Sequence, residues 1–350
     1  MSAAARAGAG TGARSLVELP KAHLHLHLDG SLRRSTVEEI AAAEGREVPW
    51  PSGYGSFAHF METITAAAAC LRDEEDVRRA VREIVEDAGA AGAVWLELSV
   101  WPGLFQGRLG DYASAVAVVL EAGREAAERS GVGFGLIAAA NRGLGADDAL
   151  AVAEVAAECA GRDVVGFGLD GDEAAAPAAW FGRPFDIARE AGLLSVPHAG
   201  EIAGPESVRA ALDVLGADRV LHGVRAIDDP ALVGELAARG TALDVCLTSN
   251  ALLGVYDPVA ANPLPALLDA GVRCSLNADD SLLFDTHLVR EYELARSVLG
   301  LSDERLAALA AVSIESSAAP AALKTTALGR IDAWLRAPHP EGPCGTASAT

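Results

Sequence analysis

Histidine and acidic side chains stand at the ends of four apolar stretches of this 350-residue chain. They are residues 25–29 (HLHLD), His198, His222 and the pair Asp279-Asp280. Residues two apart on a β-strand share a face, so His25 and His27 are expected to point in one direction. Three imidazoles and one carboxylate from separate strands form a ligand set that suits Zn²⁺. Adjacent buried carboxylates would also be costly without a nearby cation. The pattern therefore predicts a divalent metal site.

The joint occurrence of these signals carries the prediction, because each one alone is weak. The alternative interpretation is that the histidines are core residues with satisfied hydrogen bonds and that the acidic residues lie in turns. The coincidence of four signals disfavours it. Three further histidines are interpreted differently. His23 is predicted to be structural, although it has the strand parity of His25 and His27. His59 is assigned to the pocket or the surface, and His287 to the surface.

Short apolar or alternating runs recur along the chain, and each is followed by a segment with helical spacing. The predicted strands are 22–28, 93–101, 132–140, 164–170, 193–199, 219–224, 241–247 and 273–279. The clearest predicted helices are 74–90, 111–130, 146–160, 205–215, 230–238 and 263–270. Proline at the start of the last three, and glycine after several segments, agree with these helix ends.

Eight strand–helix units predict a closed parallel (β/α)₈ (TIM) barrel, whose functional side chains gather at the C-terminal ends of the strands. An open doubly wound sheet is the alternative, and the absence of GxGxxG and GxxxxGK[ST] phosphate-binding motifs weakens it. The stretch 45–90 is too long for a simple connection, so we expect it to add helices that form a lid over the barrel mouth. A single domain is predicted over 15–336, between disordered tails at 1–14 and 337–350.

The composition restricts the partners of the protein. The chain has 28 Lys and Arg against 49 Asp and Glu, a formal net charge of −21. This argues against nucleic acid or an anionic membrane, which require clustered basic residues, and favours a small substrate. Five widely spaced cysteines without a CxxC motif favour a reducing cytoplasm over a disulfide framework. Neither a signal peptide nor a membrane-spanning stretch is expected, and the oligomeric state stays open.

Five motifs occur in the order found in the adenosine deaminase family of metal-dependent amidohydrolases: LPKAHLHLHLDGSL, GLDGDE, VPHAGE, RVLHGV and SLNADDSLLF. The chain resembles this family over roughly residues 16–335, and the resemblance implies a zinc-bearing (β/α)₈ barrel. The zinc ligands it implies are His25, His27, His198 and Asp279. It implies an acid/base role for Glu201, and a role for His222 and Asp280 in orienting and activating hydroxide at the zinc. The implied substrate contacts are Asp29, Gly171, Asp280 and His27.

The implied reaction is hydrolytic deamination of a 6-aminopurine nucleoside, such as adenosine to inosine and ammonia. Carbon 6 of adenine is a poor electrophile, and zinc can lower the pKa of bound water from about 15.7 to about 7, which supplies hydroxide at neutral pH. A protonated Glu201 would donate a proton to the adjacent ring nitrogen, a contribution of typically ~10²–10⁴-fold. Glu201 follows His198 by three residues, so it can lie beside the zinc without binding it.

Departures from the family pattern concern the substrate rather than the zinc. Glu, Pro, Pro and Thr of the family are replaced by His23, Leu247, Ser281 and Ala278. Parts of the chain are similar to the adenine deaminase branch, but Asp29 stands where that branch has Glu, which favours a nucleoside. Deaminases of adenine or of 6-aminodeoxyfutalosine are the alternatives within the family. A catalytically inactive, metal-holding barrel is the alternative of another class, and the presence of Glu201 disfavours it.

Overall fold

Eight short parallel strands form one sheet in which each strand pairs with the next along the chain. They are β1 (Lys21–His23), β2 (Ala93–Val100), β3 (Gly133–Asn141), β4 (Val164–Asp170), β5 (Leu194–Ala199), β6 (Arg219–His222), β7 (Ala242–Val245) and β8 (Cys274–Leu276). The first and last segments also meet, because the N–H of His27 donates to the carbonyl oxygen of Asp279 (3.1 Å) and the N–H of Asp279 donates to that of His25 (3.1 Å). This computed structural model, which describes residues 13–46, 48, 50, 53–54 and 57–338, confirms the predicted (β/α)₈ barrel.

Helices connect the strands and surround the barrel. They are α1 (Arg34–Ala43), α2 (Phe57–Ala68), α3 (Glu74–Ala90), α4 (Tyr112–Ser130), α5 (Ala146–Glu158), α6 (Gly182–Glu190), α7 (Pro205–Asp213), α8 (Pro230–Arg239), α9 (Leu247–Leu252), α10 (Leu264–Asp269), α11 (Leu288–Ser297), α12 (Asp303–Ser316) and α13 (Ala321–Arg336). The Asp73 and Asp111 side chains accept backbone N–H groups where α3 and α4 begin, and Gly240 ends α8 in the left-handed conformation. Among the described residues, no helix has the length and apolar character required to cross a membrane.

A buried ion network ties β2, β6 and β7 together. Arg219 Nη2 lies 2.6 Å from Glu97 Oε2, and Arg219 Nε lies 2.9 Å from Asp244 Oδ2. The Trp95 indole N–H (2.9 Å) and the Ala318 backbone N–H (2.6 Å) also donate to Glu97. Each ionic group therefore has a partner of opposite charge, which is the condition under which buried charges are tolerated in a protein core.

The first strand is shorter than predicted, and this changes the position of His23. Regular pairing ends at His23, because the N–H groups of Leu24 (2.7 Å) and His25 (3.2 Å) donate to the Asn277 side chain instead. His23 Nε2 accepts the N–H of Ala278 (3.2 Å), and the imidazole borders a cavity shared with residues of α3 and α11. Strand parity would place His23 on the same side as His25 and His27, but the irregular step after β1 breaks the alternation, and His23 does not line the cavity that His27 borders. Burial lowers the pKa of His23 to about 3.

The segment between β1 and β2 contributes additional helices, as predicted for residues 45–90. Helix α2 packs against the loop that follows β8, where the Phe60 and Phe284 rings stack at 5.1 Å between centroids. The Tyr54 hydroxyl donates to the carbonyl oxygen of Leu283 in the same loop (2.8 Å). These contacts hold α2 beside the C-terminal end of the barrel, and its action as a lid stays a prediction.

The predicted tails fall mostly on residues 1–12 and 339–350, which lie outside the described residues. Two of the remaining tail positions contact each other, since Arg14 Nη2 donates to the carbonyl oxygen of Ala337 (2.9 Å). Arg14 also forms an ion pair with Asp303 at 2.9 Å. The packed part of the chain therefore extends at least one residue beyond each end of the predicted 15–336 domain.

Candidate active site

The four predicted metal ligands converge at the C-terminal end of the barrel. His25 and His27 follow β1, His198 lies near the end of β5, and Asp279 follows β8. One ligand atom from each of the four lies within 4.8 Å of the others, and all four residues are buried. Asp279 Oδ1 is 3.1 Å from His25 Nε2 and 3.3 Å from His27 Nε2, and His25 Nε2 is 3.2 Å from His198 Nε2.

The contacts of the Nδ1 atoms of His25 and His198, which point away from the centre of the cluster, indicate what the Nε2 atoms at the centre can bind. His25 Nδ1 lies 3.3 Å from the carbonyl oxygen of Asp244, and His198 Nδ1 lies 3.1 Å from that of Leu169. A carbonyl oxygen only accepts hydrogen bonds, so both Nδ1 atoms carry protons and both Nε2 atoms present lone pairs. Two lone pairs that face each other at 3.2 Å repel unless a cation lies between them. The residues therefore fit a divalent metal bound through Nε2, with Nδ1 held by the protein.

Asp170 is a member of this site that the sequence reasoning missed. Its carboxylate lies 3.0 Å from His198 Nδ1 and 3.8 Å from His27 Nδ1, so it faces the outer nitrogens of two candidate ligands. Carboxylates in this position orient metal-binding histidines and increase their basicity. Asp170 is the last residue of β4, and the strand-end rule that identified the other residues could have found it.

Two residues of the site have strained backbones. His222 and Asp279 adopt φ angles of 62° and 61°, in the left-handed region that side chains other than glycine rarely adopt. Hydrogen bonds on both sides of Asp279, to the backbone of His25 and His27, hold this conformation. Such strain costs on the order of 1–3 kcal/mol and persists where the surrounding structure enforces it, typically at functional sites.

His222 presents a hydrogen-bond donor to the centre of the site. Asn262 donates its amide to Asn250 Oδ1 (3.2 Å), which leaves the amide nitrogen of Asn250 directed at His222 Nδ1 (3.2 Å). His222 Nδ1 therefore accepts, and the ring proton is on Nε2, 3.5 Å from Glu201 Oε1. Burial and the neighbouring His25 hold the pKa of His222 well below its usual range, so the ring is neutral. Asn250, which fixes this tautomer, was not foreseen.

The pKa values of the three acidic side chains around His222, those of Glu201, Asp279 and Asp280, are shifted in different directions. Burial, reinforced by the Asp279 and Glu173 carboxylates, raises the pKa of Glu201 well above its usual range, which favours the protonated form. Burial and the charge of Asp279 likewise raise the pKa of Asp280. Burial alone would raise the pKa of Asp279 as well, but His25 and His27 hold it well below its usual range. The site thus combines one carboxyl group whose pKa is lowered, Asp279, with two whose pKa values are raised.

A cavity of about 420 Å³ opens above the candidate metal site. Its walls include the predicted residues His27, Asp29, Gly171, His198, Glu201, His222, Asp279 and Asp280. Helix α2 contributes an apolar side through Phe57, Phe60 and Met61. Arg108 also lines the cavity, but it donates to the carbonyl oxygens of Ala68 (3.1 Å) and Leu71 (2.6 Å). His59 and His287 are exposed and lie apart from the metal site.

The site can therefore hold a divalent cation at the base of the cavity, beside a buried carboxyl group with a raised pKa and a neutral imidazole donor. Groups of this kind supply general acid–base catalysis and metal-assisted hydrolysis. All predicted site residues lie in this one region.

Comparison with known proteins agrees with this geometry. The sequence model of the family described as "Adenosine deaminase" matches residues 20–334. A Streptomyces coelicolor protein named "Putative adenosine/adenine deaminase" is 43% identical over 337 residues, covering 92% of this chain and 98% of that protein. The crystal structure of adenine deaminase from Arthrobacter aurescens is similar with a TM-score of 0.84 and 32% identity, covering 91% of this chain and 99% of the other. An amidohydrolase from Burkholderia ambifaria, crystallised with bound Zn, has a TM-score of 0.84 and 27% identity, with coverage of 91% and 92%.

Family, fold and candidate site therefore agree along nearly the whole described chain. Relatives of this type are deaminases that hydrolyse C–N bonds and depend on a metal. The chain belongs to the adenosine deaminase family.

Proposed function

We propose that this protein hydrolytically deaminates a 6-aminopurine nucleoside, converting adenosine or a close analogue to the inosine-type product and ammonia. The observation that carries the proposal is that the four candidate metal ligands lie together beside Glu201, a buried carboxyl group 3.5 Å from His222 Nε2 whose pKa burial raises. His25, His27, His198 and Asp279 would hold one Zn²⁺. A metal-binding barrel without activity would have no use for a buried acid at this position.

The residues around the metal site have distinct tasks in the proposed reaction. A bound zinc ion would supply hydroxide at neutral pH by lowering the pKa of water. Glu201, whose pKa burial raises, donates a proton to the purine ring nitrogen next to the carbon under attack. His222 directs its Nε2–H into the site and orients the attacking oxygen. Asp280, which follows Asp279 in the chain and lines the same cavity, would act with His222 in orienting and activating the attacking oxygen.

The nucleoside is favoured over other purines by the residues of the pocket wall. Asp29 would accept a hydrogen bond from the 5′ side of the ribose, and the Gly171 backbone would contact the purine. The guanidinium of Arg108 is occupied by main-chain carbonyls, so it offers little to a 5′-phosphate. An adenosine with an uncharged 5′ modification, such as 6-aminodeoxyfutalosine, would meet the same residues. The free thiols of the described part of the chain accord with a cytoplasmic location.

Free adenine is the second candidate substrate, and a specific observation favours it. A Rhizobium leguminosarum adenine deaminase is 36% identical over 307 residues. Asp170 provides a second carboxylate at the pocket wall, and it could accept a hydrogen bond from the ring N–H that only the free base carries.

The Glu201→Gln substitution tests the proposal. It keeps the size of the side chain but removes the proton that the acid delivers, so kcat on adenosine should fall by roughly 10²–10⁴-fold. Bound zinc, measured by elemental analysis, should be unchanged. Glu206→Gln, at an exposed position in the next helix, is the matched control and should keep full activity. Undiminished turnover by Glu201→Gln would remove this residue from the mechanism.

A further inference from the structure

The loop that carries Glu201 is tied to a carboxylate from another strand. Glu173 follows β4, is only 4% exposed, and directs Oε2 at three successive backbone N–H groups. These belong to Glu201 (3.2 Å), Ile202 (3.1 Å) and Ala203 (2.8 Å). Its second oxygen accepts the Ser207 hydroxyl in the first turn of α7 (3.3 Å). Successive N–H groups that converge on one anion form a binding nest, so a single side chain accepts the hydrogen bonds of all three N–H groups in the turn.

Hydrogen bonds from two other segments fix the peptide groups on both sides of Glu201. Its N–H donates to Glu173, and its carbonyl oxygen accepts a hydrogen bond from Arg225 Nε (2.9 Å), which reaches over from the segment after β6. Residues 201–203 belong to no helix or strand, so these contacts replace the regular hydrogen bonds that would otherwise fix the chain. Glu173 does not line the cavity, so it would act on the substrate only through the residues it holds.

His198 is held by a different contact. Its carbonyl oxygen accepts a hydrogen bond from the buried Arg142, and its ring contacts Asp170. Loss of Glu173 should therefore move Glu201 more than His198. The two ends of the same loop can be distinguished by experiment, one through catalysis and the other through metal content.

We propose that Glu173 is the positioning residue for the proton donor Glu201, an inference that rests on the proposed function. Its carboxylate keeps the turn 201–203 in the one conformation that directs the Glu201 side chain to the purine ring. A displacement of about 1 Å in a catalytic group can cost ~10²-fold in rate, so the hydrogen bonds of Glu173 should affect kcat as well as the stability of the fold.

The test compares Glu173→Ala and Glu173→Gln in the zinc-loaded, full-length protein. Glu173→Ala leaves three N–H groups without an acceptor, and kcat per bound zinc should fall by ~10²-fold while KM and zinc content change little. Glu173→Gln keeps one acceptor oxygen and should recover most of kcat. Asp229→Ala, which removes a carboxylate from the backbone N–H groups of Ala231 and Leu232 away from the cavity, is the matched control and should keep full kcat.

Combination with Glu201→Gln separates positioning from general stabilisation. If Glu173 acts through Glu201, the alanine substitution should cause no further loss of kcat once the acid is absent. Losses that multiply in the double variant, or a fall in zinc content with full kcat per bound zinc, would overturn the proposal.

Hydrogen exchange gives a readout that does not depend on the reaction. The amides of residues 201–203 should exchange faster in Glu173→Ala, and unchanged exchange would overturn the anchoring. If the wild-type protein deaminates no 6-aminopurine, the proposed function fails, and the exchange rates still decide whether Glu173 holds the turn.

Discussion

Replacement of Gly30 by alanine should inactivate the enzyme without removing any polar group. A Cβ atom at this position would lie 1.7 Å from Oδ1 of Asp280, 2.4 Å from its Cγ and 2.5 Å from its Cβ. Ordinary contact begins near 3.4 Å, so the carboxylate must retreat by well over 1 Å. Rotation of the Asp280 side chain cannot relieve the clash, because its own Cβ is too close. The loop after β8 must therefore move.

The size of the loss follows from that displacement. A misplacement of about 1 Å typically costs ~10²-fold, and loss of an acid–base group costs ~10²–10⁴-fold, so kcat should fall by at least ~10²-fold. The assay is steady-state deamination of adenosine, expressed per bound zinc, because Asp279 is the adjacent residue. Circular dichroism and thermal unfolding verify that the variant is folded.

Gly234→Ala provides the matched control for the added methyl group. Gly234 lies in α8, is exposed and has no atom within 4 Å of the alanine Cβ position. This substitution should keep full activity and stabilise the helix by up to ~1 kcal/mol. Wild-type kcat per zinc in Gly30→Ala would refute the catalytic role given to Asp280.

Three further substitutions test the residue beside His198, the ribose contact and the buried ion network. Asp170→Asn removes the charge beside His198, so zinc affinity should fall by roughly 10–100-fold in a competition titration with a chelator; unchanged affinity would argue against its role in orienting the ligand. Asp29→Ala should reduce kcat/KM for adenosine far more than for adenine, and equal losses would mean that Asp29 has no ribose contact. Arg219→Met leaves two buried carboxylates unpaired and should lower the free energy of unfolding by about 3–5 kcal/mol, measured by urea denaturation; a variant as stable as the wild type would contradict the account of the ion network.

The barrel and the cluster of candidate metal ligands could be predicted because both follow from local patterns. Apolar runs that alternate with helical segments specify the (β/α)₈ order, and polar residues at the strand ends must then meet at one rim. His25, His198 and Asp279 come together as expected, although they are far apart in the chain.

What could not be predicted depends on contacts between distant side chains. His23 departs from the orientation that strand alternation implies, because the Asn277 side chain accepts the N–H groups of Leu24 and His25 and interrupts the strand. The alternation of side chains along a sequence predicts orientation only where the strand is regularly paired. It does not reveal that a side chain from the residue after β8 competes for the backbone N–H groups.

The supporting residues were missed for a related reason. Asn250 and Glu173 have no unusual spacing, and their importance arises only from the groups they contact, His222 Nδ1 and the amides of residues 201–203. Asp170 could have been found from its strand-end position, but nothing in the sequence indicates that it faces two imidazoles.

Zinc titration of chelator-treated protein shows whether deamination requires one metal ion bound at the C-terminal end of the barrel. Deamination of adenosine should be absent from the metal-free chain, rise linearly with added zinc, and reach its plateau at one zinc per polypeptide. Turnover that persists without metal, or a fully zinc-loaded protein that releases no ammonia from adenosine, 2′-deoxyadenosine, adenine or 6-aminodeoxyfutalosine, would contradict the proposed metal-dependent deamination.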